Sequence, residues 1–273
     1  MITILLSLLL AVPAQDDPAA AVEALKGEYD AAQSAFWERY GAAESEEEKE
    51  VLLASDYPAP EAYAERFLAL AKANVGTDAA LDALVWVAQQ LQPGETKGAT
   101  LDLLLAHHAD SDRLGTVCRT LRRDPTATAE RFLRTLLADN PHAPVRGNAA
   151  YALAHALEQV GEFAGRMDDR DDDSKALRNW LGEETVARLR RVDPVELERE
   201  SKRLLELVAT EYADVESGRG TLGEDATGDL FELEHLALGN VAPDIEGEDV
   251  DGVVFKLSDY RGRVVVLDFW GDW

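Results

Sequence analysis

Cysteine and histidine, the side chains most used in nucleophilic and transition-metal chemistry, are few in this sequence. Its one cysteine, Cys118, excludes a disulfide within the 273 residues. Cys118 lies at helical spacing with Leu114, Val117 and Leu121, which predicts a buried, unreactive thiol. His107 and His108 are adjacent, so on a helix they diverge by about a quarter-turn and cannot share a metal well. His155, four residues after Tyr151, reads as a core or groove histidine. The run Asp168-Asp169-Arg170-Asp171-Asp172-Asp173 has charge enough for calcium. It lacks the glycine and the distal glutamate of a calcium loop, and a solvated turn is expected. The sequence holds no Gly-rich phosphate loop, His-Glu-x-x-His or nucleophile elbow. These residues therefore predict no catalytic group, no metal site and no cofactor. The stretch V-V-V-L-D-F-W-G-D-W, from Val264 to Trp273, is different in kind. It reads as a strand delivering the chain into a tight, aromatic-flanked loop, the form of an approach to a site.

The whole chain sets the frame for these groups. Lys and Arg total 27 against 53 Asp and Glu, a net charge of −26. That field repels phosphate backbones and anionic headgroups, so neither a nucleic-acid partner nor a membrane-surface role is expected. A hydrophobic content of 46% allows a real core, in one large or two ordinary domains. Residues 1–14 read as a signal peptide, with an apolar run from Met1 to Leu10 and small residues Val12 and Ala14 where a signal peptidase reads. The run is too short to span a bilayer as a mature helix. No Lys or Arg precedes it, which keeps an uncleaved anchor as the alternative. Export to the periplasm or the outside is expected, with no membrane span after cleavage.

Residues 19–216 carry helical periodicity and are expected to form a helical-hairpin repeat, α-solenoid-like domain. Ala64-Glu65-Arg66-Phe67-Leu68 recurs as Ala129-Glu130-Arg131-Phe132-Leu133, each copy followed by an alanine-rich second helix. A looser unit from Leu101 to Leu121 lies between them. Three helix pairs spaced by about 30–35 residues are the pattern of stacked hairpins, none of which can bury its apolar face alone. Asp193-Pro194 starts a further helix, with Asp as cap and Pro at the first helical position. Residues 217–238, opening Ser-Gly-Arg-Gly-Thr-Leu-Gly, read as a linker.

From Gly239 the pattern changes to strands. Asp251-Gly252 is a hairpin dipeptide, Leu257 to Gly262 a turn, and Val264 to Phe269 an apolar run expected to be a strand buried on both faces. The ordered motifs G-x-x-A-P-D-I, D-G and L-S-D-Y-R-G-R-V-V-V-L-D-F-W-G-D-W resemble the start of a redoxin domain. This is the thioredoxin-like group of TlpA/ResA-type thiol–disulfide oxidoreductases and AhpC/TSA peroxidases. The resemblance covers residues 239–273 only. It implies a mainly α chain ending in the N-terminal β part of an incomplete thioredoxin-like α/β domain.

In that family F-W-x-x-W leads directly into Cys-x-x-Cys, and a helix N-terminus lowers the pKa of the first thiol. Trp270 and Trp273 would then flank the active site, while the cysteines themselves are absent from these residues. The expectation is an exported thiol–disulfide oxidoreductase or thiol-dependent antioxidant protein in its full-length form, truncated here and inactive. A fragmentary gene or a UGA codon for selenocysteine would each account for the truncation. A protein disulfide or a peroxide is the implied substrate. The alternative is a non-catalytic helical scaffold or adaptor that binds another exported protein along the repeat array.

Overall fold

The computed structural model describes residues 17–166, 172–236 and 239–268. It is mainly α, with a small β part near its carboxyl end. Helix α1 (Pro18–Ala42) begins where Asp17 accepts hydrogen bonds from the backbone N–H groups of Ala19 and Ala20, with Pro18 in the first turn. A short acidic helix, α2 (Glu46–Ser55), is capped by Ser45 and buries no residue. Three hairpins follow: α3 (Pro60–Ala73) with α4 (Asp78–Gln90), α5 (Glu95–His108) with α6 (Gly115–Thr120), and α7 (Ala127–Asp139) with α8 (Ala143–Arg166). These are the three helix pairs that the repeat predicted. Thr77 and Thr126 cap α4 and α7 by accepting from Ala80 and Ala129.

The recurring A-E-R-F-L stretch does the same job in both copies. Ala64 and Phe67 are buried in α3, and Ala129, Phe132 and Leu133 in α7. The arginine reaches back to the preceding unit each time, Arg66 to Glu28 of α1 and Arg131 to Asp102 of α5. These exposed ion pairs add little free energy. They mark the same register of helix against helix. The second helices approach closely because they present alanine: Ala79, Ala80 and Ala83 in α4, and Ala149, Ala150, Ala152 and Ala154 in α8, all buried. One apolar core runs from Val22 in α1 to Ala226 near the far end, as stacked repeats require.

Beyond α8 lie α9 (Asp172–Leu189), broken at Gly182, and α10 (Pro194–Glu211), which packs along α8. Asp193 caps α10 through the N–H of Val195, as the Asp-Pro pair predicted. The acidic run expected as a turn falls largely outside the described residues, as do residues 1–14. Asp172 and Asp173 open α9.

The expected linker, residues 217–238, holds a helix. Glu216 and Thr221 form an isolated antiparallel bridge around the glycines, and α11 (Leu222–Phe231) follows. A full capping box starts it, with Thr221 and Glu224 bonding each other's backbone N–H. Leu222 and Ala226 are fully buried against α8 and α10. A few Ser, Gly and Arg residues suggested a linker, but the capping box and two buried apolar residues outweigh them.

Gly223 shows how tight the seam is. A Cβ there would lie 2.7 Å from Ala213 Cα and 2.9 Å from Ala213 O, atoms of the backbone that cannot swing aside. Gly223→Ala is expected to cost about 1–3 kcal/mol, visible as a lowered urea midpoint, whereas Gly228→Ala, with open space around it, should be neutral or stabilising.

The β part is an antiparallel hairpin of β1 (Glu246–Glu248) and β2 (Val254–Lys256), pairing Glu246 with Lys256 and Glu248 with Val254. The expected strand from Val264 to Phe269 is not formed over its described part, residues 264–268. Val264 and Val266 are 96% and 86% exposed. A strand apolar on both faces needs paired neighbours and covering helices, and the hairpin supplies neither. Among the described residues no helix is long and apolar enough to cross a membrane.

Candidate functional site

The segment that resembles a redoxin opening is held by its own polar groups. Asp244 accepts hydrogen bonds from Ser258 N and Ser258 Oγ, both at 2.8 Å. Leu257 N donates to Ile245 O at 2.9 Å. The Ala-Pro-Asp-Ile stretch is thereby tied to Leu-Ser-Asp across the hairpin. The Ser258 N–H and hydroxyl hold the exposed Asp244 carboxyl below its ordinary range. At the other end Asp249 accepts from Asp251 N and Val253 N, and Gly252 turns the chain with φ +79°. The conformation suits glycine and explains the Asp-Gly pair. Lys256 N donates to Asp259, fixing the short 3₁₀ turn Leu257–Tyr260. The spacing gave the hairpin, but not the Asp244–Ser258 tie, for which two separate loops must be brought together. Trp270 and Trp273, expected to flank a site, lie outside the described residues.

Cys118 is fully buried in α6, and burial pushes its thiol up to about 12. A thiol with that pKa is not a thiolate near neutral pH and is neither a nucleophile nor a metal ligand. Thiol reagents such as DTNB are therefore expected to label nothing in the native protein and one group after unfolding. Labelling at the rate of a free thiol before denaturation would contradict this burial. His107 and His108 do not converge. His107 is exposed, while His108 is buried and burial lowers its pKa, favouring the neutral ring. Among the described residues no cluster of His, Cys, Asp and Glu is arranged to hold a metal ion.

His155 sits in a network the sequence did not reveal. Its Nδ1 is 3.2 Å from Glu158 and its Nε2 3.2 Å from Asp229 of α11. Tyr151 Oη donates to Asp229 at 2.7 Å, and Ser201 Oγ of α10 donates to Glu158 at 2.7 Å. Arg122 lies over the Tyr151 ring, 4.4 Å from its centre. Burial opposes a charge on His155, but hydrogen bonds to Asp229 and Glu158 outweigh it and raise the pKa to about 9. Burial likewise opposes the Asp229 charge, and hydrogen bonds from His155 and Tyr151 outweigh it, so that carboxyl lies below its ordinary range.

A serine, a histidine and two carboxylates suggest a relay, but the connections forbid it. Ser201 gives its proton to Glu158, not to the imidazole. Both ring nitrogens face carboxylates, so the charged ring donates from each and keeps no lone pair to act as a base. The network joins α8, α10 and α11. Reading 217–238 as a linker hid Asp229; the Thr-Leu-Gly-Glu capping box at Thr221 was the signal that could have found it.

No family model and no solved structure matches the chain. Two curated proteins do. The thiol-disulfide oxidoreductase ResA of Geobacillus thermodenitrificans (strain NG80-2) is 47% identical over 38 residues, 14% of this chain and 22% of that protein. The thiol-disulfide oxidoreductase ResA of Geobacillus kaustophilus (strain HTA426) is 50% identical over 38 residues, with the same shares. The chain spans about a fifth of the length of the curated relatives it matches. The similarity is to a short piece of a thioredoxin-like protein.

Proposed function

We propose that residues 239–273 are the opening of a thioredoxin-like module, and that the protein bearing it performs thiol–disulfide exchange, with a helical repeat region ahead of the module. The short identity to two ResA proteins carries this reading. Its length is close to that of the segment from Gly239 to Trp273. The hairpin supports it, because Asp244, Gly252 and Ser258 all have a conformational task in the motif that bears the resemblance.

In such exchange a thiolate attacks one sulfur of a substrate disulfide and displaces the other as a thiolate. A second thiol of the enzyme then attacks the mixed disulfide and releases the reduced substrate. Trp270 and Trp273 would wall the attacking sulfur. Neither thiol is among the 273 residues, since Cys118 is buried, unionised and alone. The reading extends to an exported protein acting on a protein disulfide or a peroxide, following the apolar amino-terminal run.

Two preparations test it. Residues 15–273 should give no insulin reduction and no peroxide consumption, with Cys118→Ser indistinguishable. Turnover that Cys118→Ser abolishes would place the chemistry in the array instead. The protein prepared from its native source should carry a Cys-x-x-Cys pair in its thioredoxin-like module and should reduce insulin. A native product with no such pair and no reductase activity would overturn the assignment.

A further inference from the structure

We propose that a cavity beside Lys97 binds the carboxylate of a small monoanionic ligand. The cavity, about 280 Å³, lies between the end of α4, the first turn of α5, the end of α6 and α8. Lys97, Arg123 and Asp124 line it together with the amides of Gln89, Gln92 and Gln159. It is unconnected with the thioredoxin-like segment and does not rest on that reading.

Lys97 is held where two effects oppose its charge and only one loosely placed carboxylate favours it. Only 4% of the residue is exposed. It stands in the first turn of α5, a 14-residue helix whose start at Gly94 has no side-chain cap, so the positive end of the helix dipole faces a cation. Its partner is distant: Asp124 Oδ2 is 3.7 Å from Nζ, longer than a hydrogen bond. Asp124 is not free to come closer, because its Oδ1 accepts from Thr126 N at 3.1 Å and Thr126 Oγ1 at 2.6 Å. Burial accordingly pushes the Lys97 pKa down, against the attraction of Asp124. Lys97 Nζ has Asp124 as its ion-pair partner at 3.7 Å and stands at an open cavity, so its N–H groups are available to an anion seated there.

The charges select the ligand. Lys97 and Arg123 are positive and Asp124 negative, leaving one positive charge for an anion to balance. A dianion such as phosphate would set a second negative charge against Asp124, within a protein of net charge −26. The glutamine amides both donate and accept, which suits a planar carboxylate with a neighbouring amide or hydroxyl. The volume falls below the range of about 300–1,000 Å³ usual for drug-sized sites, so the ligand is a small organic acid or the terminal residue of a peptide.

Titration of the full chain with propionate, N-acetylglycine and inorganic phosphate, at constant ionic strength with chloride as control, tests the proposal by thermal midpoint and by amide shifts of residues 97 and 124. Both carboxylates should act saturably, and phosphate no more than chloride. Arg123→Gln, at an exposed position, should weaken binding roughly tenfold, and Lys97→Met should abolish it. Tighter binding of N-acetylglycine assigns a peptide terminus, and equal binding a small acid. Absence of saturation by either carboxylate, phosphate binding as tightly, or full affinity in Arg123→Gln would overturn the site and leave Lys97–Asp124 a structural pair. The Arg123→Gln result and the amide shifts decide the matter even if Lys97→Met does not fold.

Discussion

Phe132→Ala should lower the unfolding free energy by about 3–5 kcal/mol, with the main urea transition moving to lower concentration. The ring is fully buried in α7, in the third hairpin, with α5 packed on one side and α8 on the other, in a core that runs the length of the array. Its counterpart in the other copy of the motif gives the control. Phe67 is equally buried and stacks on Trp86 with ring centres 4.0 Å apart, but it lies near the amino end. In a one-dimensional stack an end defect frays the end, whereas a central defect uncouples both sides. Phe67→Ala should therefore produce an early, partial transition seen through tryptophan fluorescence. Phe132→Ala should shift the cooperative unfolding seen by circular dichroism. Equal, single-step losses in both variants would mean that the repeats do not behave as a stack, and a loss below about 1 kcal/mol for Phe132→Ala would contradict its place in the core.

The His155 network predicts the second large effect, and its sign follows from two groups. His155 has an ordinary value of 6.5 and rises to about 9 in the folded protein. Its contribution is fully present below 6.5 and is lost as pH rises through about 9. Asp229 is depressed from 3.8, so its contribution is present above that value and is lost as pH falls below it. The attachment of α11 should thus be firmest between these limits and weaken on the alkaline side. The His155 shift corresponds to at most about 3 kcal/mol. The true figure is smaller, because 25% of the side chain remains in contact with water. His155→Leu leaves Asp229 and Glu158 without their shared cation and should cost about 2 kcal/mol at pH 6. Urea unfolding from pH 5 to 10 should show wild-type stability falling through the alkaline window and the variant nearly flat there. Parallel curves would show that His155 does not fasten α11.

The helical hairpins were legible because the recurring Ala-x-x-Phe-Leu stretch and the alanine-rich partners state a buried face at helical spacing. Cys118 was legible for the same reason, as one more apolar position in that face. The hairpin was legible from Asp251-Gly252, whose positive φ is a local requirement. α11 was not, because Ser217 to Gly220 look like spacer and the helix buries only a few residues. Asp229 was hidden with it, since a carboxylate opposite His155 is a fact about three helices meeting. Lys97 had no signal at all: a lysine in a first helical turn reads as exposed, and only the seating of α5 against α4 and α7 buries it. The Val264 run misled in the other direction, since its composition describes a strand and the described residues give it no neighbour to pair with.

The placement of Cys118 in the middle of the array has a consequence for pairing. Each hairpin packs mainly on the one before and the one after, so short sequence separations dominate its contacts. α6 packs chiefly on α8 and also on α4, so the enclosure of the sulfur is built within the array itself. A sulfur enclosed in this way is out of reach of a partner sulfur on another molecule, and exchange requires contact between the two. The fold itself keeps the lone thiol from mispairing for as long as the array stays folded.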